Sequence, residues 1–193
     1  MKWTTIVFVL LLGCAATAPA QMSPPATANV VINGKKLAIS YSAPSMRGRK
    51  IMGGLVPYGH WWRTGADSAT TFQTEANLDI GGLKVPKGAY TIYTLPGAKE
   101  WLLIINKQVG QFGTEYDEKQ DLGRVKMTLA QTPAPVERFK IELLPAGGGA
   151  RMCSGTDATL ETKRTGRVHH ARCPQQMRRE GGTSWVSSRA RQP

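Results

Sequence analysis

Apolar and polar residues alternate with a period of two through the middle of this chain, and glycine or proline interrupts the pattern every few residues. Helical periodicity is absent there, so the fold is all-β. Asn29–Asn33 leads through the tight-turn pair Asn33-Gly34 into Lys36–Ser42, where Leu37, Ile39 and Tyr41 share one face. Thr71–Ala76 alternates through Phe72, and Leu78–Ile80 and Leu83–Val85 flank Gly81-Gly82. Ala89–Leu95 follows Pro86-Lys87-Gly88, and Pro96-Gly97 turns the chain into Trp101–Asn106. That last run is continuously apolar, as expected of a central strand buried on both faces. Val125–Leu129 and Phe139–Leu143 again alternate. About eight short strands separated by such turns predict an antiparallel β-sandwich, with a β-barrel as the alternative.

Two long segments interrupt this pattern. Lys107–Gly123 is polar and acidic and has room for one helical turn. Arg47–Thr71 is the more distinctive, with five glycines, Pro57, Tyr58, Trp61 and Trp62 and no periodicity of either kind. Ordering so many glycines costs backbone entropy. Long ordered loops in compact domains tend to carry function. Tyr58, His60, Trp61, Trp62, Arg63 and Asp67 are therefore the candidate ligand-binding residues. Aromatics beside a guanidinium offer stacking and hydrogen bonding to a small molecule, a glycan or a peptide. The architectural alternative has Trp62 plugging the open end of the sandwich, Arg63 paired with Asp67, and Trp61 facing solvent.

Catalytic and metal chemistry finds little support. His60 is the only histidine in residues 21–145, which contain no cysteine, whereas a zinc site needs three or four such ligands. Glu115, Asp117, Glu118 and Asp121 lack the spacing and glycine of a calcium loop and read as a solvated acidic loop. No nucleophile elbow and no phosphate-binding glycine loop occurs. No cofactor, metal or catalytic residue is expected. The competing class is a hydrolase of envelope or polysaccharide substrates, using His60 or acids from the two long loops.

The ends of the chain differ in character from its middle. Lys2, the apolar run Ile6–Leu12 and Ala18-Pro19-Ala20 read as a signal peptide over residues 1–20, cleaved before Gln21. Export to the periplasm or the exterior follows. Leu11-Leu12-Gly13-Cys14 is the alternative, a lipobox that would anchor the protein through Cys14. The apolar run is too short to span a bilayer as a helix. The net charge of +12 is unevenly shared: residues 21–145 hold 15 basic and 10 acidic side chains, and residues 146–193 hold nine and three. The domain is thus only moderately basic, and no nucleic-acid-reading motif accompanies it. From Ala146 onward the chain is rich in arginine and glycine, with one leucine and no Ile, Phe or Tyr. Such a composition predicts no strand with a buried face. The β-sandwich domain accordingly spans residues 21–145, with remnants of final strands up to 163. Residues 164–193 form a poorly ordered basic tail, read either as a frameshift product or as a basic arm. In an oxidising compartment Cys153 and Cys173 are candidates for a disulfide, while His169 and His170 match no zinc spacing.

An ordered set of motifs runs through the same region. Gly48-Arg49-Lys50-Ile51, Gly54-Leu55-Val56-Pro57-Tyr58-Gly59 and Trp62-Arg63-Thr64-Gly65-Ala66 come first. Pro86-Lys87-Gly88-Ala89-Tyr90, Lys99-Glu100-Trp101, Ile105-Asn106, Tyr116-Asp117, Arg124-Val125 and Glu137-Arg138-Phe139 follow. Together they resemble the bacterial domain of unknown function 2911 family over about residues 25–145. The resemblance implies an exported protein with a β-sandwich-like domain and no established activity. The family usually has Asn-Glu after Thr-Gly-Ala, where this chain has Asp67-Ser68, so no role of that glutamate carries over.

Overall fold

A computed structural model of the chain describes residues 22–129, 135–146, 149–155 and 158–161. The signal segment 1–20 with Cys14, the basic tail 164–193, and His169, His170 and Cys173 lie outside the described residues.

Eleven strands form among the described residues: β1 (Pro25–Ile32), β2 (Lys35–Ser42), β3 (Thr71–Thr74), β4 (Leu78–Ile80), β5 (Leu83–Val85), β6 (Gly88–Pro96), β7 (Trp101–Asn106), β8 (Asp121–Leu129), β9 (Ile141–Ala146), β10 (Gly149–Ser154) and β11 (Ala158–Glu161). A 3-10 turn, Glu118–Gln120, precedes β8. The β1–β2 hairpin closes where expected. Asn33 and Gly34 take φ of 51° and 74°, the left-handed pair whose twist matches that of the flanking strands.

β1-β2-β3-β6-β7-β8 is a six-stranded antiparallel sheet, and β9, β10 and β11 pair into a second, smaller one. A short pairing of β8 with β11 joins them, and β4–β5 forms a separate hairpin. The end strands β1 and β9 are not hydrogen-bonded to each other, so the barrel alternative does not hold. The core lies between the two sheets. Leu37, Ile39, Phe72, Ile92, Leu103 and Ile105 of the large sheet face Leu143, Ala150 and Met152 of the small one. Tyr41 ties the layers together, because its hydroxyl accepts the Ile141 amide at 2.9 Å. Its ring meets Phe139 edge to face.

One expectation needs correction. The stretch after Ala146 does build a strand with buried faces: Ala150, Arg151, Met152, Cys153 and Ser154 of β10 are all buried. Its composition, averaged over the whole C-terminal stretch, hid a six-residue segment that needs only Ala150 and Met152 to meet the core. Cys153 is disulfide-bonded.

β7 is buried on both faces, as its apolar run requires. Leu103 and Ile105 point into the core, but Ile104 and its cross-strand partner Tyr93 point out of the sandwich, and both are almost fully buried. The two long loops cover that outer face. Tyr93 packs against Trp61 from one loop and Tyr116 from the other, and its hydroxyl donates to the carbonyl of Glu115.

Candidate functional site

The site is assembled by an interruption in one strand's ladder. β3 pairs with the first half of β6, Thr71 opposite Thr91 and Thr74 opposite Gly88. Further along β6 the preceding loop takes over that edge: Trp62 exchanges hydrogen bonds with Thr94, and the Gly59 amide donates to Pro96 O. Residues 59–62 therefore continue β3's line, and residues 63–69 bulge out of it. Trp61 and Trp62, successive residues on an extended backbone, point to opposite faces.

Trp62 turns inward, half-buried, and stacks edge to face on Phe139 with centroids 5.0 Å apart. Trp61 turns outward and stays exposed, as expected, although its ring also meets protein. It is 37% exposed, with its ring 5.5 Å from that of Tyr93 and 5.0 Å from that of Tyr116. The outer face of the sheet is already roofed by the 107–120 loop, so this outward side chain meets both protein and water.

The excursion 63–69 is strained at its base. Thr64, fully buried and β-branched, has φ of 52°, and Asp67 has φ of 55°. Hydrogen bonds hold Thr64 in place. Its hydroxyl bonds with that of Thr94 at 3.2 Å, and its carbonyl accepts from the Thr70 hydroxyl at 3.0 Å. The second loop clamps the tip: the Gly113 amide donates to Asp67 O, and Ser68 bridges to Phe112. Gly113 is required by close approach. A Cβ there would lie 2.6 Å from Cδ of Arg63 and from the Asp67 carbonyl.

The bulge forms one wall of a groove of about 590 Å³ at the end of the sandwich. The opposite wall is the crossing of residues 44–46 with 137–139, where Met46 N donates to Glu137 O and Phe139 N to Pro44 O. Trp61, Trp62, Arg63 and Asp67 line the groove, with Arg47 and Arg49 at the opposite side and Ile51, Leu55 and Phe139 as apolar surface. Tyr58 and His60 are exposed and lie outside the lining, with Tyr58 packed over Gly53.

The expected Arg63–Asp67 ion pair does not form. Asp67 Oδ2 accepts the Ser23 amide at 3.2 Å instead. Among the described residues Arg63 makes no hydrogen bond or ion pair, and its Nε is buried without an acceptor. Arg49 gives Nε to Met46 O and a terminal nitrogen to Ser45 O, so backbone carbonyls orient its guanidinium.

The acidic cluster is solvated as expected at Glu115 and Glu118, but not at Asp121. Asp121 is largely buried and accepts from Tyr116 (2.8 Å), Asn106 (2.9 Å) and Arg124 (2.9 Å). Glu118 takes the remaining reach of Arg124, and Asp117 caps the 3-10 turn. Asp121 is a structural tie of the second loop, and its bond to Asn106, 15 positions away, is one that no local pattern reveals. Among the described residues no group of three or more His, Cys, Asp or Glu is placed to hold a metal ion, and no helix is long and apolar enough to cross a membrane.

Burial pushes the Tyr116 hydroxyl up to about 12, and its hydrogen bond to Asp121 and that residue's charge add to the rise. The folded chain therefore keeps this proton where an unfolded tyrosine, at about 10, releases it. The resulting stabilisation is complete below about pH 10 and is lost as pH climbs through about 12. In an alkaline absorbance titration one tyrosinate step should disappear in Tyr116→Phe and move toward lower pH in Asp121→Asn. Burial raises Tyr93 as well, so the refuting result is a number of late-titrating tyrosines that Tyr116→Phe leaves unchanged.

A family model described as "Protein of unknown function (DUF2911)" matches residues 23–152. No curated protein and no solved structure matches the chain.

Proposed function

This chain belongs to the DUF2911 family of proteins of unknown function, and we propose that it is an exported binding module whose groove, walled by Trp61, Trp62, Arg63 and Asp67, holds a small molecule, a glycan or a peptide. One observation carries this reading. The most distinctive segment of the sequence is held in a strained conformation and lines a concave, mixed apolar and basic groove instead of filling it. Backbone strain persists only where its surroundings over-determine it, and it clusters at ligand sites. Groove dimensions and lining chemistry are those of small-ligand sites. Export rests on the signal-like residues 1–20.

The hydrolase alternative has weaker support. A glycosidase needs two carboxyl groups flanking its substrate, and among the described residues Asp67 is the one carboxylate lining the groove. His60 lies outside the lining, and Asp121 is committed to Tyr116, Asn106 and Arg124. Tryptophan fluorescence of the mature chain, titrated with a panel of glycans, short peptides and small aromatics, tests the proposal. Saturable quenching that Trp61→Ala abolishes is expected. A panel without any saturable response would overturn it, and turnover of a glycan would favour the hydrolase.

A further inference from the structure

We infer that the groove recognises a carboxylate carried on an apolar body, with the Arg63 guanidinium as the anion's partner; this rests on the binding reading above. Three observations converge. Arg63 is positioned by packing and not by a counter-charge: its stem runs over Gly113, and among the described residues no protein acceptor meets its guanidinium. A partly buried cation held in this way is costly, and an incoming anion relieves that cost by supplying charge-assisted hydrogen bonds. The planar fork of arginine matches the two oxygens of a carboxylate. Around it the lining is aromatic and aliphatic, from Trp61, Trp62 and Phe139 to Ile51 and Leu55, which suits the ligand's body.

The same lining argues for a singly charged, two-oxygen acceptor over a phosphate. Arg49 already gives hydrogen bonds to the Ser45 and Met46 carbonyls, which leaves it fewer donors for a ligand. Asp67 lies in the same wall, and its charge opposes a dianion more than a monoanion. Free aromatic acids and peptide C-termini share this chemistry.

The probes are phenylacetate against phenylacetamide, and the tripeptide Gly-Gly-Phe against its C-terminal amide, each titrated into the mature chain by calorimetry. Each acid should bind at least roughly tenfold more tightly than its amide, and Arg63→Gln should erase that difference. Tighter binding of phenylacetate assigns a free small acid, and tighter binding of the tripeptide assigns a peptide C-terminus. If acid and amide bind equally and Trp61→Ala removes both, the carboxylate assignment fails while the binding function stands. If neither acid binds, the assignment fails, and a silent glycan and peptide panel would then remove the binding function as well. The comparison of acid with amide needs no variant, so the inference stays falsifiable even if Arg63→Gln does not fold.

Discussion

Tyr93→Ala should destabilise the protein by about 3–5 kcal/mol, the usual cost of emptying a fully buried aromatic site. Tyr93 has no exposed surface and sits outside the main core, under the roof made by the two long loops. Its ring touches Trp61 and Tyr116, its hydroxyl donates to Glu115 O, and the Gln111 amide donates to that hydroxyl. Removing it leaves a cavity between sheet and loops and takes hydrogen bonds from both groups. Tyr93→Phe keeps the volume and should cost only about 1–2 kcal/mol, through the polar partners alone. Against a total stability of about 5–15 kcal/mol the alanine variant is a severe lesion. Denaturant midpoints measure both, and a Tyr93→Ala midpoint close to that of the parent would show that the loops are not docked on the sheet.

Trp62→Ala should cost about 3 kcal/mol, the lower end for a large aromatic because its ring is only half-buried. Trp62 links the groove to the core through Phe139, which in turn meets Tyr41, so its loss loosens the end where the two sheets are tied. Trp61→Ala, with its ring more exposed, should cost about 1 kcal/mol, chiefly its aromatic contacts with Tyr93 and Tyr116. Urea midpoints of the two variants separate these roles. Equal losses would mean that the alternation of the two rings across the ladder does not govern their packing.

Much of this fold is legible in the sequence because strand formation and facing are local. Alternation at Leu37, Ile39 and Tyr41 places those residues in the core, Asn33-Gly34 closes its hairpin, and the apolar run Trp101–Asn106 is buried on both sides. Trp61 and Trp62 point in opposite directions because the loop pairs with β6 there, which no periodicity in the segment announces. The groove is legible only in part. Loop length and composition single out residues 57–67, and four of the six residues chosen there line it.

What only the tertiary structure decides is what each face meets. Trp61 points away from the core and stays exposed, yet Tyr93 and Tyr116 pack against its ring, because a loop some 50 residues later in the chain folds across the same face. Arg63 and Asp67 lie four positions apart, close enough to invite pairing on paper, but two left-handed residues and the clamp at Gly113 send them to different neighbours. Asp121 looks solvated among its acidic neighbours until Asn106 and Arg124 close on it. Sequence periodicity fixes the direction of a side chain relative to its own backbone. Its partner is set by sheet order and by the path of distant loops, which depend on the packing free energy of the whole domain and not on any local run of residues.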